Sequence, residues 1–264
     1  MQIAEEALSE FAKTVELNGT KFLEGFHRSF RSGSGVEFHE LRSYGEGEDA
    51  RHIDWKRLAA SDRYLVRQFE KNEKTAWRVW VDSSESMTYG QKRAWAATFA
   101  GSILYVAQTL GDSWSLLGQE KLPLFAAYED LIKGKTLPAF PKFVDLDLQR
   151  GDRLVLISDF FFDLDEMVAS LEAIRDQVSQ IVLVQTLDSK EMRFDFRGVI
   201  QFDDRESSSR LILDASAIQA GFLKGLADHQ DRLKRSLSEG DSFYVFEDQL
   251  SLIPAQLVEF FGVI

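Results

Sequence analysis

From residue 75 onward, short apolar runs of strand length alternate with longer stretches whose apolar positions recur every three or four residues. WRVWV leads into a helical pattern over 92–110. SWSLLG and LPLFAAY follow, then RLVLIS, a helical pattern over 164–175, IVLVQT, a long helical pattern over 217–237, SFYVFE and a closing helix over 254–261. Strands alternating with helices of this length imply parallel crossover units, and runs as continuously apolar as RLVLIS and IVLVQ imply a sheet covered on both faces. The pattern predicts a doubly wound, mostly parallel α/β domain over 77–264. SWSLLG and LPLFAAY stand too close for a helical crossover, so LPLFAAY is expected as an antiparallel edge strand. VIQF and RLILD, joined by polar DDRESSS, predict a hairpin.

Residues 1–76 read differently and are expected as a separate helical and irregular region. Ala7, Leu8, Phe11, Val15, Phe22, Leu23 and Phe26 recur at helical intervals on either side of Asn18-Gly19, predicting a helix, a break and a second short helix. Residues 31–49 are rich in glycine and charge and predict a surface excursion. RHIDWKRLAA predicts a short helix capped by Asp49, and YLVRQFE alternates like an exposed strand.

The 43 acidic and 31 basic residues give a net charge of −12, which argues against general attraction to nucleic acid or anionic lipid. The absence of cysteine removes disulfides and thiolate chemistry and fits a reducing compartment. The longest nearly apolar stretch, 94–107, falls short of the roughly 20 residues of a bilayer span, and the first residues carry glutamates where a secretory signal would carry positive charge. A cytoplasmic protein without a membrane span is expected.

Candidate chemistry gathers where strands end. Ligands of open α/β sheets collect beyond the carboxyl ends of the strands, and both Asp82 in VWVDSSESM and Asp159 in LVLISDF stand there. A loop bending around one point would direct the oxygens of Asp82, Ser84 and Ser86 inward. Such oxygen ligands suit Mg²⁺, with Mn²⁺ or Ca²⁺ as alternatives. The same residues also suit a strand end and helix cap with no ion at all. After Asp159, the run Phe160, Phe161 and Phe162 cannot all face one side, which places an aromatic group at the rim or in the core.

The spacing D-x-S-x-S followed by a later strand-end aspartate resembles the metal-ion-dependent adhesion site of von Willebrand factor A domains. The resemblance implies metal ligands at Asp82, Ser84, Ser86, Thr136 and Asp159; apolar surface beside a charged centre suits protein recognition, and a partner surface is expected at Glu85, Phe160 and Phe161. Upstream, Gly35, Glu37, Phe38, Leu41, Arg42, Tyr44, Asp49, Arg51, Ile53, Asp54, Trp55, Val66, Arg67, Phe69 and Glu70 resemble the bacterial family known as domain of unknown function fifty-eight. Members often accompany MoxR-type AAA+ ATPases. The resemblance therefore implies a non-enzymatic adaptor whose bound ion is completed by an acidic residue of such an ATPase. Two alternatives stay open: a metal-dependent phosphohydrolase or nuclease using the same carboxylates, and a metal-free structural scaffold.

The remaining polar residues carry weaker expectations. Arg42, Arg51 and Arg67 among Glu37, Asp49, Asp54 and Glu70 suit ion pairs that fix an irregular segment. SGSG at 32–35 lacks a P-loop lysine, the histidines show no ligand spacing, and no G-x-S-x-G elbow is present.

Overall fold

The computed structural model describes residues 2–32, 40–43, 65–68, 75–117, 119, 122–134, 148–203 and 210–263. Met1–Leu23 together with Thr75–Ile264 form one compact unit, and Glu24–Lys74 form a second. In chain order the elements are α1 (Gln2–Ser32), β1 (Glu40–Ser43), β2 (Leu65–Gln68), β3 (Ala76–Val81), α2 (Lys92–Leu110), β4 (Ser113–Leu116), α3 (Leu124–Lys133), β5 (Asp152–Ser158), α4 (Leu164–Ile174), β6 (Gln180–Leu187), α5 (Ser189–Arg193), β7 (Val199–Asp203), β8 (Arg210–Asp214), α6 (Ala215–Arg235), β9 (Ser242–Glu247) and α7 (Ile253–Val263).

The larger unit is a mixed α/β fold around a five-stranded sheet ordered β4-β3-β5-β6-β9, in which every pairing is parallel. The arrangement is consistent with a von Willebrand factor A-like architecture. Winding starts at β3, goes outward to β4, and returns across β3 to β5, so the reversal lies between β3 and β5. Register pairs Val81 with Ile157, which sets Asp82 beside Ser158 at the carboxyl edge.

Strand alternation sends side chains to two cores. On one face Trp80, Leu154, Leu156, Ile181 and Leu183 pack with Leu164, Met167, Leu171 and Ile174 of α4 and Leu233 of α6. The other face is aromatic. Trp95 stacks on Phe99 with centroids 4.7 Å apart, and Phe99, Tyr244 and Trp77 all pack on Phe260 of α7. The hairpin expected from VIQF and RLILD forms as β7 and β8, registered from Val199 with Asp214 to Asp203 with Arg210. In the smaller unit β1 and β2 pair antiparallel, Glu40 opposite Gln68 and Ser43 opposite Leu65.

Two expectations are corrected. LPLFAAY is not an edge strand: Leu124–Lys133 is helical, entered from Pro123 and closed by Gly134 in the left-handed region. Ala127, Tyr128 and Leu131 are its buried positions, a helical spacing that the short apolar run concealed. RLVLIS, the fourth strand expected when counting from WRVWV, is accordingly the third strand of the sheet, and Asp159 follows it. Asn18-Gly19 is no break either, because α1 runs through it. A Cβ on Gly19 would stand 2.4 Å from the Tyr105 ring, so the glycine marks a close helix contact. Val15 and Phe22 are buried on the same stretch, and Phe22 stacks on Phe261 at 4.9 Å. The expected helix over RHIDWKRLAA, the SGSG loop, Trp55 and the arginine-acid pairs lie outside the described residues or their described side chains.

Replacing Gly19 by valine is expected to force Tyr105 aside and lower stability by about 1–3 kcal/mol. Urea denaturation followed by tryptophan fluorescence reads the shift; an unchanged midpoint would show that the helix has room to spare.

Candidate functional site at the carboxyl edge of the sheet

Asp82 leaves β3 with its backbone N–H still donating to Ile157 O at 2.9 Å, so its position is set by the ladder. Its carboxylate is 4% exposed and both oxygens are occupied. Oδ1 accepts from the Ser84 backbone N–H at 2.8 Å, and Oδ2 accepts from the Ser158 hydroxyl at 2.6 Å. Ser158 Oγ in turn accepts from Phe160 N–H at 2.8 Å. The hydroxyls of Ser84 and Ser86 bond one another at 3.0 Å. A short 3₁₀ turn, Glu85–Thr88, follows, seated on fully buried Met87. Arg93 of α2 donates to Ser83 O at 3.1 Å and Ser84 O at 3.3 Å, fastening the turn from its carbonyl side. Burial pushes the Asp82 carboxyl up despite the bonds from Ser158 and Ser84, and nearby Asp159 adds to that rise.

Asp159 faces a different partner. Its Oδ2 accepts from Lys92 Nζ at 2.8 Å, with both side chains 1% exposed. Its Oδ1 accepts from Phe161 N–H at 3.2 Å, and its carbonyl accepts from Gln185 Nε2 at 2.9 Å. Gln185 Oε1 accepts from Gln230 Nε2 at 2.9 Å, which carries the connection to α6. Lys92 Nζ also donates to Glu191 Oε1 at 3.1 Å, while Glu191 Oε2 accepts from Asp188 N–H at 2.9 Å. Burial alone would push the Lys92 ammonium down, but Asp159 and Glu191 outweigh it and lift its pKa above the usual lysine value. Tyr89 and Phe161 place their rings 5.8 and 5.9 Å from the ammonium.

The backbone turns sharply after Asp159. Phe160 has φ +59°, a conformation uncommon for a residue with a side chain, and is fully buried. Phe160 therefore offers no partner surface, contrary to expectation. Phe161 is 38% exposed and stands at the rim, 5.5 Å from the ring of His229. Glu85 is exposed, as its place in the turn suggested. Thr136 lies outside the described residues.

Asp82, Ser84 and Ser86 share one turn, and Asp159 stands at the same edge of the sheet. Among the described residues no group of three or more His, Cys, Asp or Glu is placed to hold a metal ion, which overturns the expected Mg²⁺, Mn²⁺ or Ca²⁺ and the ion-dependent adaptor built on it. The physical reason is competition. Asp82 is consumed by Ser84 and Ser158, the two serine hydroxyls satisfy each other, and Asp159 is turned toward Lys92.

The residues that organise the edge include several that motif spacing missed. Lys92, Glu191, Asp188 and Asp248 belong to no pattern anchored on Asp82. Lys92 carried a readable signal, for it occupies the same helical stripe as buried Trp95, Ala96 and Phe99. Asp248 lies past β9 and accepts from Gln91 N–H at 2.7 Å. Gly90, at φ +60°, lets two carboxylates approach the turn, since a Cβ there would stand 2.6 Å from Asp188 Oδ2 and 2.8 Å from Asp248 Oδ2. Burial, with Asp188 and Glu191 nearby, pushes the Asp248 carboxyl up to about 6.

Comparison with known proteins agrees with the upstream signature over part of its length. Residues 40–126 match the family described as protein of unknown function DUF58. The DUF58 match takes in β1, β2 and the D-x-S-x-S turn and stops short of Asp159. Uncharacterized protein Rv1480 of Mycobacterium tuberculosis strain H37Rv and uncharacterized protein Mb1516 of Mycobacterium bovis are each 26% identical over 257 residues, covering 88% of this chain and 80% of theirs. No solved structure matches.

Because the folded-state pKa of Asp248 is raised, the native state holds its proton more tightly than the unfolded chain does. Its contribution is therefore fully present below the ordinary carboxylate range near 3.8 and is lost as pH rises through about 6. Asp248→Asn keeps an acceptor for Gln91 and removes the ionisation. The variant is expected to flatten the stability profile between about pH 4 and 6 and to gain about 1–2 kcal/mol at pH 7.5. Chemical denaturation across that range measures it; a variant less stable than wild type at pH 7.5 would show that the carboxylate is favourable as an anion.

Proposed function

We propose that this chain is a metal-free structural scaffold, not an enzyme, and that it presents the carboxyl edge of its sheet to a protein partner. The observation that carries the reading is the contrast at that edge: Asp82 and Asp159 are spent on internal bonds, while Phe161 and Glu85 face solvent. Phosphohydrolase or nuclease chemistry needs a carboxylate free to hold an ion or to act as a base. Both strand-end aspartates instead serve as fixed acceptors. The exposed aromatic group beside a carboxylate suits recognition by side-chain contact.

The partner that the family resemblance implies is a MoxR-type AAA+ ATPase; the DUF58 match over residues 40–126 supports the resemblance itself. The net charge of −12 favours a protein partner over nucleic acid. Among the described residues no helix is long and apolar enough to cross a membrane, and the chain has no cysteine, which supports a cytoplasmic site of action.

Surface plasmon resonance between this chain and a nucleotide-free MoxR-type ATPase of the same cell tests the reading. Binding is expected to be equal with Mg²⁺ and with EDTA, and to weaken at least about tenfold in the double variant Phe161→Ala with Glu85→Lys, a loss in the range of interface anchors. Unaltered binding by that variant would overturn the assignment of the surface. Hydrolysis of p-nitrophenyl phosphate that disappears in Asp159→Ala would favour the enzyme instead.

A further inference from the structure

We propose that the Lys92 ammonium is the resident cation of this edge: it does internally what a divalent ion does in an adhesion-type site, and so makes the edge independent of ions. The inference deepens the metal-free reading by naming what balances the carboxylates. Strand topology delivers Asp159 to the point where winding reverses, beside Asp82. Asp159 is 1% exposed there, and Glu191 approaches the same point from the turn after β6; carboxylates held away from water need positive charge. Lys92 supplies it from the first turn of α2, 2.8 Å from Asp159 and 3.1 Å from Glu191, and is itself only 1% exposed.

The arrangement reaches further than one ion pair. Glu191 closes the short helix after β6 by accepting from Asp188 N–H, so the ammonium joins α2, the end of β5 and that turn. Tyr89 and Phe161 lie within 5.8 and 5.9 Å of it, a distance at which a ring face attracts a cation. The lysine thus sets the attitude of the exposed Phe161 as well as the charge beneath it. Lys92 is in this sense a positioning residue for the presented surface. An ammonium also differs from a divalent ion in carrying only three donors, two of which Asp159 and Glu191 take, and at 1% exposure it presents no open position to a partner acid.

Thermal unfolding of three proteins tests the proposal: wild type, Lys92→Met, and the triple variant Lys92→Met, Asp159→Asn, Glu191→Gln. Each is scanned in EDTA, in Mg²⁺ and in Mn²⁺. Wild type is expected to unfold at one temperature in all three media. Lys92→Met, which leaves buried Asp159 and half-buried Glu191 without their counter-charge, is expected to fall by roughly 10 °C in EDTA and to recover part of that loss in Mn²⁺. The triple variant is expected to regain most of the loss and to ignore the ions, which lost packing alone would not produce. If Lys92→Met fails to fold while the triple variant folds, the outcome supports the charge-balancing role; if neither folds, side-chain packing rather than charge is decisive and the proposal falls. A wild-type midpoint that rises with Mg²⁺ or Mn²⁺, or a Lys92→Met midpoint equal to wild type, would also overturn it. Failure of ATPase binding would leave these melting results untouched, so the partner reading and the resident-cation reading fail separately.

Discussion

The buried ion pair between Lys92 and Asp159 is the constraint on which the carboxyl edge depends. Taking both charges out of water costs several kcal/mol, and the cost is offset only when geometry is good and the remaining donors and acceptors are satisfied. Here Glu191 accepts a second hydrogen bond from the ammonium, and the other Asp159 oxygen accepts from Phe161 N–H. Removing the lysine alone leaves acids without a counter-charge, a change of about 3–5 kcal/mol. The left-handed backbone at Phe160 accompanies this pairing: Phe160 is buried and Phe161 exposed while Asp159 keeps its partner.

An edge balanced in this way differs in kind from one organised by an ion. A divalent cation offers a partner an open position, and recognition is then switched by metal concentration. A lysine offers none. In the proposed reading, recognition comes from shape, from exposed Phe161 and from the Glu85 turn, all held by covalent neighbours and hydrogen bonds. The D-x-S-x-S turn keeps its form without an ion, because Asp82 accepts from Ser84 N–H and Ser158 Oγ and Arg93 grips the carbonyls of Ser83 and Ser84. The fully buried amide of Gln185 links the Asp159 carbonyl to Gln230 of α6 and so ties the edge to the helical layer.

Much of this was legible in the residues. Apolar strands as continuous as LVLIS announce a sheet buried on both faces, and the reversal of winding brings Asp82 and Asp159 to one edge as expected. Periodicity failed where short segments serve two patterns. LPLFAAY reads equally as strand or helix until Pro123 and Gly134 are recognised as its ends, and Gly19 reads as a break until Tyr105 is found against it. The metal reading failed for another reason: oxygen spacing along the chain says which atoms share a neighbourhood, not which already have partners. Ser158 and Lys92 decide that, and both come from elements whose distance from Asp82 is settled only by tertiary packing.

Anomalous diffraction from crystals soaked in Mn²⁺ addresses the central claim most directly. The account predicts no anomalous peak between Asp82 and Asp159, with the Lys92 ammonium at hydrogen-bonding distance from Asp159. A peak at coordination distance from Asp82, Ser84 and Ser86, with Lys92 swung away, would contradict it.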